Sequence, residues 1–168
     1  MNKNIILTTL LAALMLLSCQ KDTRKLAGDY NYKLSGEVEL RDSNGEVTYQ
    51  LIHRIGQMQI LRDKSQKSKY LITMNEMNGG GYTMTAELRG DSLLLDEHTF
   101  STNVLSSSWL PSLNQEETPS LVYRVTATGG GTFRDGSLIL RETWTGSQSG
   151  APTSTINGLE MNIIAEKR

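Results

Sequence analysis

The chain has 168 residues, with 17 Lys and Arg against 18 Asp and Glu, which gives a formal net charge of −1. This length accommodates one domain, and the balanced charge excludes the strongly basic surface that nucleic-acid binding requires. Cys19 is the only cysteine, so an internal disulfide, a catalytic thiolate in the domain and a cysteine metal site are excluded as well.

The first 18 residues have the pattern of a secretory signal peptide. Lys3 precedes an apolar run over residues 5–17 that only Thr8 and Thr9 interrupt. A membrane-spanning helix needs about 20 apolar residues, whereas a run of this length is typical of a signal-peptide core. We therefore predict that residues 1–18 are a removable signal.

The end of this signal carries a motif of its own. Leu16-Leu17-Ser18-Cys19 has an aliphatic residue three positions before the cysteine and a small residue directly before it. The motif resembles the lipobox of bacterial lipoproteins, and this resemblance implies cleavage before Cys19 and diacylglycerol on its thiol. Two or more acyl chains anchor a protein stably. We expect residues 19–26 to be the lipidated cysteine and its tether to the membrane.

The three residues after the cysteine bear on location. Gln20-Lys21-Asp22 resembles the short charged signals that send some Gram-negative lipoproteins to the cell surface. The alternative is an ordinary solvated linker. We expect a lipid-anchored protein of the bacterial cell envelope, on the outer membrane, and leave its periplasmic or surface face open.

The first predicted strand begins at Tyr30. Apolar residues occupy every second position as far as Leu40, and polar or charged residues occupy the positions between them. This period of two predicts a long antiparallel strand with one buried face and one wet face. Asp42-Ser43-Asn44-Gly45 then predicts a hairpin turn, because Asn-Gly tolerates positive φ angles.

The second strand continues the alternation through Val47, Tyr49 and Leu51, and it resumes with Met58 and Ile60. Gly56 separates the two parts. A glycine inside a strand is typical of a bulge or a bend, so we predict one there. On this reading, the Tyr49 side chain points into the core.

Further alternating runs follow, separated by turn residues, at 70–74, 82–88, 93–95, 121–127, 138–144 and 159–165. The sequence therefore predicts an all-β domain over residues 27–168, with about eight strands in a single antiparallel up-and-down barrel. A two-sheet β-sandwich is the alternative. The glycine triplets at 79–81 and 129–131 are both read as parts of hairpin turns.

Leu26-Ala27-Gly28-Asp29-Tyr30 opens the first strand. It resembles the Gly-x-Trp start of lipocalins and related calycin barrels, with Tyr30 at the position of the tryptophan. The lipocalin family implies an eight-stranded up-and-down barrel whose open end accepts a small apolar molecule.

Candidate chemistry is sparse. No motif combines a nucleophile with a base, so we expect no enzyme activity and no catalytic residues. His53 and His98 are the only histidines and have no metal-ligand spacing, so we expect neither a metal nor another cofactor. Glu142 shares its parity with Leu138, Leu140 and Trp144, and we expect it at the open rim; a buried carboxyl with a raised pKa, or one paired with an arginine, is the alternative.

The aromatic residues predict a ligand site inside the barrel. Tyrosine and tryptophan offer stacking area together with a polar group, as small-molecule sites do. An eight-stranded barrel has room either for its own side chains or for one small, partly apolar ligand. The candidate ligand-lining residues are Tyr30, Tyr32, Tyr49, Tyr82 and Trp144.

Residues 101–120 form a long interruption between two predicted strands. Within it, residues 103–113 contain Trp109 and Leu110, which are read as a lid over the barrel or as an anchor for a partner protein. The alternative is a flexible, Ser-rich insertion whose tryptophan plugs the end of the barrel. The competing hypothesis to ligand binding is therefore an interaction or assembly module of the envelope that acts through this loop.

Overall fold

The computed structural model describes residues 26–77, 79–104 and 121–168. The predicted signal peptide at 1–18, Cys19, Trp109 and Leu110 lie outside the described residues. Within them, the strands follow one another as β1 (Gly28–Arg41), β2 (Val47–Arg62), β3 (Lys69–Glu76), β4 (Gly81–Arg89), β5 (Ser92–Asn103), β6 (Val122–Arg134), β7 (Ser137–Gln148) and β8 (Ala151–Lys167).

These strands close into a barrel. Each one pairs in antiparallel fashion with the next along the chain, and β8 pairs with β1. The prediction of an eight-stranded antiparallel up-and-down barrel is confirmed, and the alternative of a β-sandwich is wrong. Closure removes the two outer edges that an open sheet of these strands would have.

Strand β1 follows its predicted alternation, with Tyr30 and Leu40 buried at the two ends of the inward face. The predicted turn after it is also present. One carboxylate oxygen of Asp42, Oδ1, accepts hydrogen bonds from the backbone N–H groups of Asn44 and Glu46, each at 2.8 Å. Gly45 supplies the positive φ angle of 86° that the turn needs.

Strand β2 departs from its prediction. Its register with β1 is unbroken from Gly28↔Ile60 to Arg41↔Val47, so no bulge interrupts it at Gly56. Even-numbered residues such as Ile60 therefore face the core along the whole of β2. Tyr49, at an odd-numbered position, faces outward and is 65% exposed. Gly56 is instead required by close packing, because a Cβ there would lie 2.1 Å from the backbone carbonyl oxygen of Asn75 in β3 and 2.7 Å from the ring of Tyr32.

The two glycine triplets have different roles. Gly79 and Gly80 lie in the turn between β3 and β4 with positive φ angles, as predicted. The second triplet, at residues 129–131, lies in the middle of β6 and not in a turn. The reason is close strand packing, since a Cβ at Gly129 would lie 2.1 Å from the carbonyl oxygen of Arg141.

The barrel has two distinct ends. The terminal end carries residues 26 and 168 and the β2–β3, β4–β5 and β6–β7 turns, whereas the loop end carries the β1–β2, β3–β4 and β7–β8 turns and the β5–β6 connection. The terminal end is filled. Leu26 is fully buried, and the Tyr30 hydroxyl donates a 2.6 Å hydrogen bond to its carbonyl oxygen. Burial raises the pKa of Tyr30 to about 12, so this donor stays protonated.

The middle of the barrel is also filled by its own side chains. The largest side chains that are almost fully removed from solvent are Trp144, Tyr30, Tyr70, Leu34, Met58, Ile60, Ile72, Met74, Met84, Leu93 and Leu138. Close packing of this kind gives the barrel a solid core. Space for another molecule must therefore be sought toward the loop end.

Candidate functional site

A β-bulge in β5 places a histidine inside the barrel. The pairing of β5 with β6 shifts between Leu95 and His98, and Asp96 and Glu97 are consequently both exposed. Leu95 lies on the inward face before the bulge, and His98 and Phe100 lie on it afterwards. A bulge re-aims the side chains that follow it. His98 is only 9% exposed as a result.

Glu142 of β7 also points into the barrel and faces His98 across the intervening strand β6. It is 1% exposed, so the expected position at the rim is wrong. The hydroxyl of Tyr82 donates to its Oε2 at 3.1 Å, and the indole N–H of Trp144 donates to the same oxygen at 2.8 Å. Phe100 joins the aromatic groups, stacking on Tyr82 at 4.2 Å and meeting Trp144 edge-on at 5.1 Å.

Small residues of β6 make room for this cluster. Ala127 pairs with His98 on one side and with Trp144 on the other, and Gly129 pairs with Glu142. Larger side chains at these two positions would occupy the space between β5 and β7. The short side chains thus let a histidine and a glutamate from two strands meet across a third.

Whether His98 and Glu142 attract or repel each other depends on whether one of the two facing atoms carries a proton. Nδ1 of His98 lies 3.1 Å from the carbonyl oxygen of Asp96, and a carbonyl only accepts, so Nδ1 carries a hydrogen. In a neutral ring, Nε2 is then a bare acceptor, and it lies 3.6 Å from Oε1 of Glu142. Neither of these buried atoms has another hydrogen-bond partner among the described residues. A proton on either atom would remove the repulsion between two acceptors.

Burial raises the pKa of the Glu142 carboxyl, although Trp144, His98 and Tyr82 oppose this effect. Burial and the adjacent Glu142 likewise hold the pKa of Tyr82 well above its usual range, so the phenol remains a donor. The burial of this carboxyl thus favours a proton on Glu142. Chemically, the arrangement can hold a proton and orient aromatic rings.

A second polar group closes one side of the loop end. Strands β3 and β4 have only 8 and 9 residues, so β2 and β5 extend beyond them without an intervening strand. Arg54 of β2 bridges this gap. Its guanidinium contacts Glu76 at 2.6 Å and also donates to the Thr102 hydroxyl and, at 2.9 Å, to the carbonyl oxygen of Asn103.

The opposite side of the loop end contains a cavity of about 270 Å³. Its described lining combines apolar and polar side chains from β1, β2, β6, β7 and β8 and from the β1–β2 turn: Leu40, Asp42, Glu46, Thr48, Leu121, Tyr123, Gln148 and Ser154. Cavities that hold drug-sized molecules are typically about 300–1,000 Å³. This cavity therefore suits a smaller molecule with an apolar part.

The register of β6 relates the cavity to the buried cluster. Tyr123, in the cavity wall, pairs with Thr102 and Gln148, whereas Ala127 pairs with His98 and Trp144. Four residues of strand separate the two levels, which corresponds to about 13 Å. The aromatic and titratable cluster thus lies beneath the cavity.

The structure does not place all five predicted ligand-lining residues inside the barrel. Tyr30, Tyr32, Tyr82 and Trp144 are buried inside the barrel, whereas Tyr49 is outside it. None of the five lines the 270 Å³ cavity. Tyr82 also borders a depression of about 240 Å³ beside the β3–β4 turn. Four of the five predicted residues are therefore part of the barrel core and not of the cavity wall.

The sequence analysis does not predict that His98 belongs to a buried cluster. A signal for it exists, because the inward positions of β5 change from odd numbers, at Leu93 and Leu95, to even numbers at Phe100. A change of phase within one strand indicates a bulge. Ser154, which is 5% exposed in the cavity wall, has no such signal in the sequence.

Comparison with protein-family models finds no match, and comparison with curated proteins finds no significant match. Within the described ranges, no helix is long and apolar enough to cross a membrane. Across the same part of the chain, no three His, Cys, Asp or Glu side chains gather in a way that could hold a metal ion.

Proposed function

We propose that this chain is a lipid-anchored protein of the bacterial cell envelope whose barrel binds a small, partly apolar molecule at the loop end, without catalysis. The cavity of about 270 Å³ carries this proposal. It lies at one end of a closed barrel whose middle and other end are packed with side chains, so it offers space for a ligand. The proposed partners are the membrane and this ligand, with neither nucleic acid nor a cofactor.

The lining suggests how such a ligand is oriented. Leu40, Leu121 and Tyr123 offer an apolar surface for its hydrocarbon or aromatic part. Gln148 and Ser154 offer hydrogen-bonding groups on β7 and β8, the two strands that lie between β6 and β1. A few polar groups in an otherwise apolar cavity are typical of small-molecule sites. The resemblance of residues 26–30 to the start of lipocalins supports the same function.

The anchor rests on the lipobox resemblance of residues 16–19. Under this proposal, Cys19 carries the lipid, and the outer membrane is the location, with the domain on its periplasmic or its surface face. The closed barrel starts at Gly28, a few residues after the proposed lipid. The domain would therefore stay close to the bilayer.

Filling the cavity tests ligand binding. In Ser154→Phe, a large ring enters the cavity, whereas in Thr153→Phe the same ring lies on the exposed face of β8. We expect the neutral fluorescent probe N-phenyl-1-naphthylamine to bind wild type and Thr153→Phe equally and Ser154→Phe at least about tenfold more weakly, which is 1.4 kcal/mol. Equal binding by all three proteins would argue against the cavity as the site.

A second candidate function is an interaction or assembly module of the envelope that acts through residues 103–113. The filled middle of the barrel favours it, because a solid barrel serves as a scaffold for a loop. Residues 105–113 lie outside the described residues. Alanine substitution of Trp109 and Leu110 separates the two candidates, since it should abolish a protein contact and leave probe binding unchanged.

A further inference from the structure

The terminal end of the barrel carries an unbalanced basic turn. Residues 62–69, which connect β2 to β3, contain four basic side chains and one acidic side chain. The basic residues are Arg62, Lys64, Lys67 and Lys69, of which Lys69 lies 3.8 Å from the carboxylate of Asp96 in β5. Lys64 and Lys67 are exposed. We call this segment the basic turn.

Contacts within the basic turn give it a defined shape. The Asp63 carboxylate accepts hydrogen bonds from the backbone N–H and hydroxyl of Ser65 and from the N–H of Gln66. The Nε–H of Arg62 donates to the carbonyl oxygen of Lys67 at 2.8 Å. The single acidic group is thus engaged in holding the turn, which presents its lysines from a fixed framework.

The other turns of the terminal end are balanced. In the β6–β7 turn, Arg134 lies 3.6 Å from the carboxylate of Asp135. Beside the β4–β5 turn, Arg89 contacts Glu87 at 2.9 Å. Among the turns of the terminal end, the excess of positive charge therefore lies in the basic turn; Glu166, Lys167 and Arg168 lie at the same end of the barrel.

The loop end has the opposite character. Asp42 and Glu46 stand at the rim of its cavity. Arg41 next to them is paired with Glu39 at 3.3 Å. The acidic cavity rim and the basic turn thus lie at opposite ends of the barrel, with the exposed Arg124 also at the loop end.

The chain length between lipid and barrel decides which end can meet the bilayer. Leu26 is fully buried at the terminal end, and seven residue steps separate it from Cys19. A fully extended chain spans at most about 3.6 Å per residue, so the terminal end stays within about 25 Å of the lipidated cysteine. Strand β1, with 14 residues, is longer than this reach at about 3.3 Å per residue.

We propose that the basic turn docks on the anionic phospholipid headgroups of the leaflet that holds Cys19, so that the cavity at the loop end faces away from the membrane. This inference rests on the proposed lipid anchor. Each Lys or Arg near an anionic surface favours docking by about fivefold. The acidic rim is repelled by the same surface, which reinforces this orientation.

Energy transfer on the full-length, lipidated protein in vesicles tests this orientation. Because Cys19 is the only cysteine and its thiol is blocked by the lipid, one added cysteine gives a unique dye position. Gln66→Cys reports from the basic turn and Ser43→Cys from the loop end. The acceptor dye is carried by lipid headgroups in phosphatidylcholine vesicles with or without 30% phosphatidylglycerol.

With phosphatidylglycerol at low salt, we expect strong transfer from position 66 and weak transfer from position 43. The difference should shrink without the anionic lipid or in 0.5 M NaCl, because salt screens the attraction. Lys64→Glu/Lys67→Glu should lower the docked-to-free ratio at least about 25-fold. The matched reversal at the loop end, Arg41→Glu/Arg124→Glu, changes the net charge equally and should preserve docking.

Equal transfer from both positions, or docking that survives Lys64→Glu/Lys67→Glu, would overturn the proposal while leaving the anchor intact. Flotation of the same samples tests the anchor separately. Protein that fails to float with vesicles of either composition would overturn the lipid anchor and the docking with it.

Discussion

At the scale of single residues, Glu142 is the least ordinary group of the described chain. Its Oε2 accepts two hydrogen bonds, from Tyr82 and Trp144, while its Oε1 faces His98 across 3.6 Å. A buried carboxyl that already has two donors on one oxygen needs a proton on the other if an acceptor faces it. The residue therefore acts as a neutral hydrogen-bonding centre between aromatic rings.

Glu142→Gln tests this protonation state. The amide oxygen can accept from Tyr82 and Trp144, and the amide N–H can donate to His98, so the variant mimics the protonated acid. Because burial raises the pKa of Glu142 above its ordinary 4.5, the folded protein retains a proton that the unfolded chain releases. Wild type should therefore lose stability relative to the variant as pH rises from 4.5 to the raised pKa, by up to about 1.4 kcal/mol per pH unit.

Urea unfolding between pH 4 and pH 8 measures this difference. Glu142→Leu is the comparison variant, because it removes the acceptor for Tyr82 and Trp144 and should cost about 2–4 kcal/mol at every pH. A Glu142→Gln protein that is less stable than wild type at pH 7, with an unchanged pH slope, would show that the ionised carboxylate is the native form.

At the scale of elements, the short β3–β4 hairpin explains the polar bridge at the loop end. Strands β2 and β5 continue past this hairpin, and Arg54 connects them through Glu76, Thr102 and the backbone of Asn103. The side chains of Arg54 and Glu76 are only 16% and 17% exposed. An ion pair so shielded from water depends strongly on both partners.

Removing one partner should therefore cost more than removing both. We expect Arg54→Met to lower the free energy of unfolding by about 2–4 kcal/mol, because Glu76 is left without its cation. Arg54→Met/Glu76→Gln should recover at least half of this loss. The exposed pair of Arg41 with Glu39 is the control, and Arg41→Met should change stability by less than about 1 kcal/mol. Denaturant titrations that give equal losses at positions 54 and 41 would contradict the account.

The strands themselves are largely predictable, because alternation reflects the burial of one face, and the hairpin at residues 42–45 follows from turn chemistry. The two errors, a bulge at Gly56 and a turn at Gly129, have one cause. A glycine can occur in a turn because it tolerates a positive φ angle, or within a sheet because it has no side chain. Which of the two applies depends on the neighbouring strand, which the local sequence does not show. At Gly56 the backbone of Asn75 and the ring of Tyr32 fill the space, and at Gly129 the backbone of Arg141 fills it.

At the scale of the whole molecule, the barrel is filled at its terminal end and has a cavity at its loop end. Alternation predicted that Tyr32, Tyr82 and Trp144 point inward, and they do. It could not predict that they pack beneath the cavity, because depth along the barrel depends on the stagger of all eight strands. The cavity residues Leu40 and Tyr123 have the same inward parity and become a site only through that stagger.

The lipid anchor makes a prediction at this scale. Cys19→Ala removes the only thiol that can carry diacylglycerol, so the protein should leave the detergent phase of a Triton X-114 extraction, or remain as an unprocessed precursor. Lys21→Ala is a neighbouring control that should keep wild-type partition. Cys19→Ala protein that partitions and migrates like wild type would rule out lipidation at this residue.

The central claim is that the barrel carries a small molecule at its loop end. Native mass spectrometry of the chain from residue 20 to residue 168, after incubation with an extract of a Gram-negative envelope, tests it most directly. We expect a folded mass that exceeds the denatured mass by one small molecule in wild type and Thr153→Phe, and no excess in Ser154→Phe. Identical folded and denatured masses for all three proteins would contradict ligand binding and leave the interaction module as the better account.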